Sequence, residues 1–141
     1  MPIPVPDQAA LVYAWDLLAR AQGIETWRRT VTLVLRSWGA SDAAVEVARL
    51  GISELLANVV RHVEDPLCRL SVVLDARQVR VQVADRSPCL PRFAEPAWNA
   101  ESGRGLWMLR AMCPNFGCEP GAAGKTMWFA VDLDPVDRAV A

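Results

Sequence analysis

A single histidine, His62, stands in a chain of 141 residues, and that scarcity removes most zinc chemistry from consideration. The four cysteines, Cys68, Cys89, Cys113 and Cys118, form no C-x-x-C pair that could compensate. Charge of one sign is also lacking. A net charge of -1 supplies no basic surface for direct contact with nucleic acid. No apolar run approaches the ~20 residues a membrane-spanning helix needs. No segment repeats, and no secretory signal opens the chain, so free thiols point to a reducing cytoplasm. A soluble cytoplasmic protein with neither membrane nor nucleic acid as partner is expected.

Apolar side chains, by contrast, are plentiful. They make up 52% of the sequence, enough for one well-filled core. The six tryptophans are expected to anchor that core or an interface. MPIPVP, with its three prolines, begins an extended arm over residues 1–10. LVYAWDLL, residues 11–18, reads as a strand, with a helix reaching Ala21 as its competitor. From Glu25 to Trp38, apolar residues recur at helical spacing, and Gly39 follows in the C′ position. Ser41 or Asp42 can cap a second helix that runs to about His62.

Past Glu64-Asp65-Pro66 the period becomes two. CRLSVVLDA and RQVRVQVAD form a hairpin turning near Arg77. The proline-rich stretch from Arg86 to Arg104 is a long loop, of the kind that is usually functional or disordered. A short helix spans Gly105–Met112, stopped by Pro114. NFGCEP and KTMWFAVDL are strands around a GAAG turn, and residues 134–141 are a tail. One domain over residues 11–133 results. Its expected class is an α+β two-layer sandwich, a mostly antiparallel mixed sheet with helices packed on one face.

Three polar sites interrupt this apolar chain. On a helical wheel, Val45, Ala48, Ile52, Leu55, Leu56, Val59 and Val63 make one stripe. Glu54, Asn58 and His62, four residues apart, fall together on its flank, with Gly51 beside them. Such a flank is ordinarily a solvated edge. A carboxylate beside a carboxamide also suits metal-phosphate chemistry, the amide oxygen binding Mg²⁺ and the carboxylate acting as a base. His62, near the helix end, is more simply explained by the helix dipole. The second site is Asp85, closing a strand before Ser87-Pro88, where a turn-initiating aspartate is the ordinary reading. The third is Gly103-Arg104-Gly105-Leu106, opening a helix whose N–H groups can bind phosphate. EPGAAGKT imitates a P-loop but has Glu119 at the first required glycine and precedes a strand, so it is rejected. Lys125 or Thr126 could still face a ligand.

Taken in order, E-L-L-x-N-x-x-x-H, D-x-S-P, G-R-G-L and G-K-T resemble the histidine-kinase-like (GHKL) ATPases. More closely, they resemble the small bacterial anti-sigma factor serine/threonine kinases, over roughly residues 11–133. The resemblance implies a Bergerat-type fold that binds ATP with Mg²⁺. It assigns Glu54 as the catalytic base, Asn58 as the Mg²⁺ ligand and Asp85 as acceptor for the adenine amino group, assisted by Thr126. It places Gly103, Arg104, Gly105 and Leu106 at the phosphates and makes residues 88–102 a lid over ATP. The family's D-x-G-x-G is here Asp85-Arg86-Ser87-Pro88, a departure that bears on nucleotide affinity and turnover.

Phosphorylation of an antagonist protein, and through it control of transcription, is the activity this implies. A non-catalytic ATP-binding switch that sequesters a transcription factor is the alternative. The implied partners are proteins, an anti-sigma antagonist and a sigma factor or other regulator, and a homodimer is compatible with them.

Overall fold

The computed structural model describes residues 11–90 and 104–134, with only the backbone of Arg104. The expected arm (1–10), the lid beyond residue 90, Gly103 and the tail beyond residue 134 lie outside the described residues. Leu11–Leu18 is a strand, β1, at the edge of the sheet. Its aromatic rings decide against the helical competitor: Trp15 lies 5.7 Å from Trp27 and Tyr13 lies 5.9 Å from Trp38. A 3-10 turn, Ala21–Gly23, then leads into helix α1, Ile24–Ser37. Gly39 ends it with φ of 83°, a left-handed conformation that an L side chain would resist. Ser41 caps α2, Asp42–His62, its hydroxyl accepting the Ala44 N–H at 3.1 Å.

β2 (Leu67–Asp75) and β3 (Gln78–Asp85) form the expected hairpin. α3 (Arg104–Met112), β4 (Phe116–Pro120) and β5 (Lys125–Asp132) complete the described elements. The strand order is β1-β2-β3-β5-β4, and every pairing is antiparallel. No parallel pair occurs among the described strands.

Alternation along the strands makes two unlike faces. Val79, Val81 and Val83 of β3, with Met127, Phe129 and Val131 of β5, turn inward against the helices. The whole expected stripe of α2, from Val45 to Val63, is buried there with Leu35 of α1 and Leu109 of α3. Each fully buried Val, Leu, Ile, Phe or Met side chain contributes about 1.5–3 kcal/mol. On the other face the Arg80 guanidinium lies 4.2 Å from the centre of the Trp128 ring. The result is two layers, and no helix among the described residues is long and apolar enough to cross a membrane.

Candidate functional site

The polar flank of α2 is not a uniform solvated edge. Asn58 is 4% exposed, and its amide nitrogen donates to Met127 Sδ at 3.2 Å. With the nitrogen committed to sulfur, the amide oxygen is the atom left for a cation. One turn earlier, Glu54 retains 20% of its side-chain exposure and lies 3.8 Å from the Arg61 guanidinium. Burial raises the Glu54 carboxyl above its ordinary range, and the Arg61 charge offsets only part of that. His62 is exposed.

α3 packs against α2 at this point through Gly105. A Cβ built on Gly105 would run into the Glu54 carboxylate, so any larger residue there would push Glu54 out of its present position. Glu54, Asn58, Arg61, His62, Gly105 and Leu106 line a pocket of about 20 Å³. That is room for about one water, so a phosphate group would have to widen it. Arg104 opens the helix in its backbone; its side chain and Gly103 lie outside the described residues.

Asp85, the last residue of β3, is held differently from the sequence expectation. It stands directly opposite Lys125, the first residue of β5. The ammonium lies 2.9 Å from Oδ2 and 3.1 Å from Oδ1, with side chains only 1% (Asp85) and 2% (Lys125) exposed. Oδ1 also accepts the Ser87 N–H at 2.8 Å, which makes the expected aspartate turn. Oδ2 is in ionic contact with Lys125 but has no well-directed hydrogen bond of its own. Gly124 presses on the Asp85 carbonyl so closely that a side chain there would collide with backbone. Arg86 is drawn aside, its guanidinium 3.0 Å from Asp65.

Thr126, expected to assist Asp85, is paired with Ala84 and so belongs to the other face of the sheet. The residue beside Asp85 is Lys125. The reason is register: an adjacent residue on a strand points the opposite way. Alternation with Met127, Phe129 and Val131 was the available signal, since all four share one side of β5. Arg61, two turns past Glu54, is a further residue of the pocket that the motif did not mark.

No group of three or more His, Cys, Asp or Glu side chains suited to a metal occurs among the described residues. Magnesium does not require one. It retains waters and is commonly held by one or two protein oxygens plus the phosphates, which Asn58 fits. Together the pocket offers a desolvated carboxylate, an amide oxygen and a helix N-terminus. Those are the parts needed to position a phosphate and take a proton near it.

A family model described as histidine kinase-like ATPase domain matches residues 17–130. No curated protein matches the sequence. Among solved structures, the RsbU and RsbW domains of Rv1364c from Mycobacterium tuberculosis share the fold, with a TM-score of 0.66 at 21% identity. The likeness covers 86% of this chain and 32% of that one, so this chain spans about a third of that structure's length.

Proposed function

The chain belongs to the histidine kinase-like ATPase family, and from that premise we propose that it binds Mg-ATP and phosphorylates a protein partner as an anti-sigma type serine/threonine kinase. The observation that carries this reading is the Glu54 carboxylate lying against Gly105, at the start of α3, with buried Asn58 beside it. A base, a metal ligand and a phosphate-binding helix end meet at one point.

In this reading Glu54 takes the proton from the acceptor hydroxyl, and its raised pKa makes it a stronger base than an ordinary glutamate. The Asn58 amide oxygen orients Mg²⁺, which when bound neutralises phosphate charge. Backbone N–H groups of the Gly103–Leu106 stretch hold the phosphates, aided by the Arg104 charge. Asp85 is the residue placed to accept a hydrogen bond from the adenine amino group, once its Lys125 partner gives way. The partner is a regulator such as an antagonist protein, with a sigma factor as the second protein bound, and the setting is the cytoplasm. Similarity of fold to a structure containing an RsbW domain supports that class of partner.

The second reading is a nucleotide-binding switch without phosphoryl transfer, and one observation bears on nucleotide binding in both. Asp85, the expected base acceptor, is already paired with Lys125. Calorimetry with millimolar ATP and Mg²⁺, beside transfer of γ-labelled phosphate to proteins encoded next to this gene, tests both. Binding with transfer supports the kinase. Binding and partner capture without transfer support the switch, and no binding at all sinks the two together.

A further inference from the structure

The Asp85–Lys125 pair is the most heavily buried charge in the described molecule, and the proposed chemistry gives Lys125 no part. Burying two ions costs several kcal/mol each in lost hydration, and a well-packed apolar pair of similar volume would be about as stable. Stability alone therefore does not explain it. Two details of the pair point to a ligand instead.

The first is Oδ2, a carboxylate oxygen on a side chain 1% exposed, which lacks a well-directed donor. Oδ2 has an ammonium 2.9 Å away but no aligned N–H, and a planar amino group placed in line would satisfy it better. The second is the position of Lys125. It begins β5 directly after the turn closed by the Gly121 N–H to the Gly124 carbonyl at 2.8 Å. Its pairing with β3 is made by the backbone, so a change in the ammonium's partner leaves the strand ladder intact.

We propose that Lys125 competes with the nucleobase amino group for the Asp85 carboxylate, and so sets both base selectivity and affinity in the nucleotide site. The inference rests on the nucleotide-binding reading above and deepens it. While the pair is closed, Asp85 cannot recognise an exocyclic amino group, and the phosphates supply most of the binding. The base is read only when Lys125 moves aside.

The test uses the full chain and two nucleotides, ATP and purine riboside triphosphate, which carries hydrogen in place of the adenine amino group. Wild type should bind the two within about threefold of each other. Lys125→Thr should tighten ATP by about tenfold, the scale of one hydrogen bond to a charged acceptor, and leave the analogue within about threefold. Lys125→Thr strips the partner from a buried carboxylate, so Lys125→Gln is measured beside it. Its amide keeps a neutral donor near Asp85 and should shift ATP in the same direction by less.

ATP bound only by the variants would support the proposal as strongly. A tenfold preference of wild type for ATP over the analogue overturns it, because Asp85 would already be reading the amino group. Equal tightening of both nucleotides in the folded variants, or none, overturns it too. Those results leave nucleotide binding standing. Failure of every protein to bind either triphosphate removes the nucleotide-binding reading and this proposal with it.

Discussion

Glu54 carries two opposing influences, and they give it a measurable pH signature. Burial holds its proton more tightly in the folded chain than in the unfolded one, and Arg61 only partly opposes that. Where the folded pKa exceeds the unfolded value, the unfolded state releases its proton first. Stability therefore falls as pH rises from about the ordinary 4.5 through the folded pKa, and stays lower above it. Glu54→Gln removes the penalty. The variant should melt above wild type near neutral pH, and the gap should close below pH 4.5 in a series of thermal melts. It should also bind ATP as wild type does while losing on the order of 10²–10⁴ in phosphate transfer, if the carboxylate is the base. Asn58 has a separate test. With a hydrogen bond to Met127 and almost no exposure, Asn58→Ala should lose about 1–2 kcal/mol of stability, whatever its functional role. Its role in metal binding is read from paired ATP titrations, with Mg²⁺ and with a chelator. Wild type should bind more tightly with Mg²⁺, and the variant should show no difference. A folded variant that keeps the Mg²⁺ dependence removes Asn58 from the site.

At the scale of elements, α2 was the most legible part of the chain. Its cap, its stripe and its polar flank are all local patterns, and all appear where periodicity places them. β1 was less so, because a run of apolar residues fits either period, and its ladder with β2, beside ring contacts with Trp27 and Trp38, settles it. The pairing of β3 with β5 was not legible at all. Some 40 residues separate the strands, and a slip of one residue decides whether Thr126 or Lys125 faces Asp85. Thr126 followed from the family motif; Lys125 follows from the register. The contact between α2 and α3 gives a matched pair of substitutions. At Gly105 a Cβ meets the Glu54 carboxylate, whereas at Gly51, one turn earlier on α2, it meets the Phe129 ring in the core. Gly51→Ala should cost about 1–3 kcal/mol by overpacking, and Gly105→Ala less, because the Glu54 side chain can swing aside. Only Gly105→Ala should also weaken ATP binding, by tenfold or more, because it displaces Glu54 and crowds the start of α3. Equal nucleotide affinity in the two folded variants would separate the α2–α3 contact from the site.

For the whole molecule, the placement of the site matters more than any one of its residues. In the proposed nucleotide site, Glu54 and Asn58 come from α2, Gly105 and Leu106 from α3, and Asp85 and Lys125 from facing ends of β3 and β5. A nucleotide bridging them would touch both layers at once, and β3 and β5 are both interior strands of the described sheet. Its binding energy would then add to the stability of the entire cooperative unit rather than to one loop. At a nucleotide concentration a hundredfold above Kd, that linkage amounts to about 2.7 kcal/mol. For a domain of this size it corresponds to a rise in Tm of roughly 5–11 °C. Differential scanning calorimetry should show such a rise with Mg-ATP and little with Mg²⁺ alone. Gly105→Ala should lose most of it, and Glu54→Gln should retain it, since the first disturbs binding and the second only the chemical step. A ligand confined to a peripheral loop would give a different result, leaving the main transition in place while that loop alone gained protection. A single cooperative transition unmoved by millimolar Mg-ATP would therefore count against a nucleotide bridging α2, α3 and the sheet.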